Sequence, residues 1–224
     1  MSESFSQTET AIAIDGPVGQ LEARTQAGQS EGPLAGRGLV AVVCHPHPLH
    51  GGTMNNKVVT TLMRVYRDLG VDSVRFNFRG VGESGGEFDN ARGEVDDLLA
   101  VVSWVKSQGI HSNLLLAGFS FGSSVAAQAT YRSDWAVQHL TLVAPPVARY
   151  PYDQEGRFPC PVCLIQGDQD DVVEPDSVYQ WRERIESPLQ LLRYPDAGHF
   201  FHGGLVTLKK DLLDTLPAQL EGRV

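Results

Sequence analysis

Short unbroken apolar runs alternate along the chain with longer stretches in which apolar residues return every three or four positions. Leu39-Val40-Ala41-Val42-Val43-Cys44 is continuous and rich in valine, the pattern of a strand buried on both faces. Leu114 to Phe119, Leu140 to Val143, Val162 to Gln166 and Leu189 to Tyr194 read as further strands, as does Val71 to Phe78. Between these runs, Val58, Leu62, Val65 and Tyr66 recur at helical spacing and predict a helix from about Asn56 to Leu69. Val95, Leu98, Leu99, Val102 and Val105 form one broad apolar face over Asn90–Gln108. Further helices are expected from Ser120 to about Tyr131, near Asp176–Ile185 and over Leu205–Leu216. At the start, Thr8 to Ile14 alternates apolar with polar residues, and Leu21 to Arg24 follows Asp15-Gly16-Pro17. That pair predicts a hairpin at a sheet edge.

Strands separated by helical crossovers make an α/β fold, a mostly parallel sheet of about eight strands with helices on both faces. No internal repeat, low-complexity tract or linker interrupts the pattern, so residues 1–224 are expected to form a single domain.

Charge narrows the range of partners. The net charge of −9 offers no basic field for phosphates, which argues against nucleic acid or an anionic membrane as partner. Lys209-Lys210 is accounted for by a solvated helix face. The polar start Met1-Ser2-Glu3-Ser4 lacks a secretory signal, and no run of apolar residues is long enough to span a membrane. Three cysteines do not suggest a disulfide framework. The expectation is a soluble cytoplasmic protein with free thiols.

The chemistry concentrates at Gly118-Phe119-Ser120-Phe121-Gly122, which closes the apolar strand Leu114-Leu115-Leu116-Ala117 and precedes the small-residue helix start Ser123-Ser124-Val125. A serine hydroxyl is a weak nucleophile until it is exposed, fixed and given a base. A sharp strand-to-helix turn exposes and fixes it. The new helix aims free backbone N–H groups and its positive dipole end at the place where an oxyanion would form.

A base and an orienting acid are expected from loops at the carboxyl ends of other strands. Asp170 in Gly167-Asp168-Gln169-Asp170-Asp171 is the chosen acid, with Asp168, Asp171 and Asp196 as rivals. His199 in Pro195-Asp196-Ala197-Gly198-His199-Phe200-Phe201-His202 is the chosen base. Gly198 permits a tight turn before it, and Phe200-Phe201 are placed to pack and fix the loop. His202 is the rival. The order Ser…Asp…His is the order expected for a nucleophile on such a turn.

These three loops resemble the signature loops of the α/β-hydrolase superfamily, and the match runs from about Leu39 to His202. His45-Pro46-His47-Pro48-Leu49-His50-Gly51-Gly52-Thr53-Met54 resembles a small bacterial branch with dienelactone-hydrolase-like and lidless esterase-like members. The resemblance implies an eight-stranded sheet and ester or related acyl hydrolysis without a cofactor. Dienelactone hydrolases proper use cysteine where this chain has Ser120, so their substrate class does not carry over.

Backbone N–H groups of Phe121 and of the loop after Cys44 are the expected oxyanion donors. Pro46 and Pro48 have no N–H, which leaves His47 or Leu49; His47 is favoured. A metal on His45, His47 and His50 is weighed and set aside, because their spacing on a proline-stiffened loop is not that of ligands on one helix face. Cys160-Pro161-Val162-Cys163 has no second pair and reads as buried structural thiols. Gly80-Val81-Gly82-Glu83-Ser84-Gly85 matches a dinucleotide fingerprint, but no helix opens at the glycines. Only Ala144 to Pro161 separates two strands where relatives insert a lid, too short for a lid domain, with Tyr150, Tyr152 and Phe158 placed to wall a pocket.

The expectation is therefore a serine carboxylesterase acting on small-molecule esters of short to medium acyl chains, without cofactor or metal. Peptide, amide or thioester hydrolysis and a non-catalytic binding or receptor protein are the alternatives.

Overall fold

The structure, a computed structural model, describes residues 5–222. Eight strands form one sheet in the order β1-β2-β4-β3-β5-β6-β7-β8. They are β1 (Thr10–Gly16), β2 (Gly19–Gln26), β3 (Leu39–Cys44), β4 (Asp72–Phe76), β5 (Asn113–Phe119), β6 (Val137–Val143), β7 (Val162–Gly167) and β8 (Leu189–Tyr194). β2 pairs antiparallel with β1 and with β4, and every other pairing is parallel.

The helices are α1 (Lys57–Leu69), α2 (Arg92–Ser107), α3 (Phe121–Arg132), α4 (Pro175–Glu183) and α5 (Leu205–Leu220). Alternate residues of the central strands serve opposite layers. Val40, Val42, Leu114 and Leu116 pack with α2, α3 and α4. Leu39, Ala41, Val43, Leu115 and Ala117 pack with α1 and α5. Both faces are covered, so the strands are apolar at every position rather than at every second one.

The differences from the sequence reading are local. β6 begins at Val137, ahead of the apolar run, because the polar His139 within it is buried and bonded to Gln219 of α5 at 3.0 Å. α5 continues through Pro217 to Leu220. Leu208, Leu212, Leu216 and Leu220 form one buried stripe, and burying its last member outweighs the hydrogen bond that proline removes. β4 ends at Phe76 because the Phe78 N–H turns to the His45 ring instead of to a neighbouring strand. No helix among the described residues is long and apolar enough to cross a membrane.

The parallel strands all end at one edge of the sheet. There β3 leads into the loop of His45, β5 into Ser120, β7 into the loop of Asp170, and β8 into the loop of His199.

Candidate active site

Ser120 joins β5 to α3 with φ 52° and ψ −123°, a conformation that an L-residue rarely adopts and that costs on the order of 1–3 kcal/mol. The neighbouring backbone imposes it. Ser120 N–H donates to Val143 O at 2.8 Å, and Ser120 O accepts from the Ser123 N–H at 2.9 Å and from Ser123 Oγ at 2.5 Å. The turn is tight enough to exclude any side chain at the flanking glycines. A Cβ on Gly118 would lie 2.2 Å from Gly122 O, and one on Gly122 would lie 2.4 Å from His45 O.

His199 and Asp170 reach Ser120 from separate loops. Ser120 Oγ and His199 Nε2 are 3.0 Å apart, and His199 Nδ1 lies 2.8 Å from Asp170 Oδ2. An ionised carboxylate only accepts, so the Nδ1–H donates to Asp170. In the neutral imidazole Nε2 is then free to accept the serine proton. The Asp170 and His199 loops are laced together by Asp168 N–H to Tyr194 O at 2.9 Å and Gln169 N–H to Ala197 O at 3.0 Å.

Asp170 Oδ1 accepts the Val172 and Val173 N–H groups at 2.9 and 2.8 Å, and Gln166 Nε2 donates to Oδ2 at 3.2 Å. Burial alone would push the Asp170 carboxyl upward. The hydrogen bonds from His199 and the two amides, with the histidine charge, outweigh it and hold the pKa below the ordinary carboxylate value.

The rival residues have other places. Asp168 is held by Arg193 at 2.8 Å and by the Tyr179 hydroxyl, Asp171 and Asp196 are exposed, and His202 is exposed beside the loop. The two phenylalanines divide their roles. Phe201 is buried with its ring edge-on to Tyr194, whereas Phe200 is 44% exposed and stands edge-on to His199 at 5.0 Å.

The loop after β3 supplies the other side of the site. Leu49 N–H donates to His47 Nδ1 at 3.2 Å and is spent. Among the described residues, the N–H groups of His47 and Phe121 have no protein acceptor, which leaves this pair as the candidate oxyanion donors. His45 has a different task. Its Nδ1 bonds to Pro46 O at 2.6 Å and its Nε2 accepts the Phe78 N–H at 3.0 Å, so the backbone occupies both ring nitrogens. Burial lowers its pKa to about 4, and the ring is neutral at pH 7.

Two expected pocket residues belong to the core instead. Tyr152 is buried, bonded to Ser123 Oγ at 2.7 Å, and Phe158 packs edge-on to Trp181. Tyr150 alone of the three reaches the site, its ring 5.4 Å from that of Phe121. Cys160 and Cys163 are buried and form no disulfide.

Two neighbours of the site had no role assigned from the sequence. Gln166 is a polar residue at the end of an apolar strand, which is the one signal that marked it. Arg79 binds the buried Asp97 through its side chain at 2.7 Å and its backbone N–H at 2.9 Å, fixing the loop after β4 to α2. Their separation in sequence left no pattern to read.

A strained serine at the end of a central strand, bonded to a histidine that is bonded in turn to a carboxylate, is the serine-hydrolase constellation on an α/β sheet. The sequence model of the alpha/beta hydrolase fold matches residues 49–159. An α/β serine hydrolase without a lid from Xanthomonas campestris is 40% identical, with 96% of this chain and 97% of that one covered at a TM-score of 0.87. The chain belongs to the α/β-hydrolase family. An α/β serine hydrolase homologue from Coxiella burnetii is 43% identical over 92% of this chain and 97% of its own, with a TM-score of 0.86. An uncharacterised protein of Rickettsia prowazekii is 36% identical over 216 residues, 92% of this chain and 87% of its own. This hydrolase shares the lidless form: residues 144–161 carry only an isolated bridge between Gln154 and Arg157.

Proposed function

We propose that the protein is a serine carboxylesterase for small-molecule esters of short to medium acyl chains. Ser120 is the nucleophile, His199 the general base and acid, Asp170 the orienting acid, and the N–H groups of Phe121 and His47 the oxyanion hole. The observation that carries this reading is the unbroken line from Ser120 Oγ through His199 to Asp170, with contacts of 3.0 and 2.8 Å.

In the first step Ser120 Oγ attacks the ester carbonyl while its proton passes to His199 Nε2. The carbonyl oxygen becomes an oxyanion facing the Phe121 and His47 N–H groups, where each donor is worth about 10²–10³ in rate. The imidazolium then protonates the departing alcohol as the tetrahedral intermediate collapses to an acyl-enzyme. Water, deprotonated by the same imidazole, releases the acid and restores the serine. Asp170 stays ionised throughout, because the hydrogen bonds at both its oxygens favour its charged form.

An ester suits this site better than an amide. An amine leaving group needs protonation earlier and more binding contacts, and no lid encloses the substrate. The three buried cysteines form no disulfide, which favours a cytoplasmic setting. The test is steady-state turnover of matched p-nitrophenyl esters, thioesters and anilides by the wild type and Ser120→Ala. Ester hydrolysis that falls about 10⁶-fold in kcat in the variant supports the reading. Preferential anilide or thioester turnover, or ester turnover that survives the substitution, refutes it.

A further inference from the structure

Four aromatic rings, one from the first residue of α3 and three from different loops, meet on the oxyanion side of Ser120. Phe121 lies at the centre and is buried, with His47 at 5.0 Å, Phe88 at 5.8 Å and Tyr150 at 5.4 Å between ring centroids. His47 and Phe88 also touch each other at 4.9 Å. His47, Phe88 and Tyr150 are each half-buried, so the array retains open ring surface, and the exposed Leu49 extends its apolar lip. Edge-on and tilted ring contacts of this kind are specific to aromatic partners and add to simple burial.

The chemistry of the intermediate says which part of an ester lies there. Four groups surround the reacting carbon. One is Ser120 Oγ, and the oxyanion faces the Phe121 and His47 N–H groups. The departing alcohol must lie within reach of His199 Nε2, which protonates it, and so beside the exposed ring of Phe200 at 5.0 Å from the imidazole. The acyl substituent takes the remaining direction, away from His199 and along the side chains that carry and flank the oxyanion donors. We infer that the rings of Phe88, Tyr150 and His47 form an acyl subsite that selects esters of aryl-substituted carboxylic acids over saturated ones of equal size. This deepens the esterase reading above and rests on it.

His47 suits the role as a neutral ring. Its Nδ1 is committed to the Leu49 N–H, and burial, with the nearby His50 and Arg149, lowers its pKa below that of an ordinary imidazole. A neutral ring stacks on an aryl group without first losing a charged hydration shell.

Two esters with a common leaving group test the inference: p-nitrophenyl hydrocinnamate and p-nitrophenyl cyclohexanepropanoate, which differ in the aromaticity of the terminal ring. The wild type is expected to favour the aryl ester about tenfold in kcat/KM, the discrimination that one or two ring contacts supply. Phe88→Leu and Tyr150→Leu should each reduce that ratio severalfold, while Phe200→Leu, on the leaving-group side, should hold it within twofold. A wild-type ratio near unity overturns the subsite, and so does a ratio that falls equally in Phe200→Leu; the wild-type ratio decides even if a variant fails to fold. Lack of turnover of both esters would instead overturn the esterase reading itself.

Discussion

Asp170 and His199 share a hydrogen bond of 2.8 Å at a point where neither side chain meets appreciable solvent. Such a pair is sustained only because every other demand of the carboxylate is met, by two backbone amides and Gln166. Asp170→Asn should leave the loop folded but favour the wrong histidine tautomer, lowering kcat by about 10⁴-fold. Asp168→Asn and Asp171→Asn, measured in parallel on one activated ester, should stay within a few-fold of wild type. The largest loss at either of those positions would move the acid elsewhere in the loop.

The backbone donor at His47 is open to a direct substitution. Its φ of −53° suits proline, and its N–H has no acceptor among the described residues. His47→Ala removes the ring and keeps the N–H, whereas His47→Pro removes both. If this N–H completes the oxyanion hole, kcat in the proline variant should lie a further 10²–10³-fold below that of the alanine variant. Equal kcat values in the two would exclude His47 as the donor.

The glycines of the nucleophile turn should be intolerant of even one methyl group. A Cβ at Gly122 meets the Cys44 and His45 carbonyl oxygens at 2.6 and 2.4 Å, and these belong to a central strand and its exit that cannot yield cheaply. Gly122→Ala should destabilise the protein by about 3 kcal/mol in urea unfolding, the upper range for overpacking. A midpoint like that of wild type would show that the turn relaxes freely.

His45 links stability to pH. Its folded pKa of about 4 lies below the ordinary value of about 6.5, so folding favours the neutral ring. Its contribution is complete above the unfolded pKa and is lost as pH falls from about 6.5 through about 4, for a total of about 3 kcal/mol. Urea midpoints at several pH values between these limits should fall steeply for wild type and less steeply for His45→Gln. Identical slopes would mean that the ring is not held neutral by the fold.

Much of the fold was legible because the sheet is buried on both faces. Runs such as Leu39–Cys44 and Leu114–Phe119 carry no polar interruption, and their order with the helices dictates a parallel sheet. Boundaries were lost where a polar residue was satisfied from a distance, as His139 is by Gln219, or where packing overrode a local signal, as at Pro217. The candidate triad was legible because each member lies just past the end of a strand. The roles of His45 and Tyr152 were not. The sequence assigned His45 no task once a metal was set aside, and tyrosine in a long loop suggests a pocket wall; the Phe78 amide and the Ser123 hydroxyl claim them instead. The partners responsible are 33 and 29 residues away, beyond any local pattern.

The nucleophile itself is open to direct capture. A fluorophosphonate phosphonylates a serine, with loss of fluoride, efficiently only when a base and an oxyanion hole act on it together, so the adduct reports the assembled site rather than the residue alone. Intact-mass measurement after treatment of the folded protein should show one adduct per chain, peptide mapping should place it on Ser120, and ester turnover should fall in proportion to labelling. Folded protein that stays unlabelled, or an adduct on another residue with turnover intact, would contradict the serine mechanism.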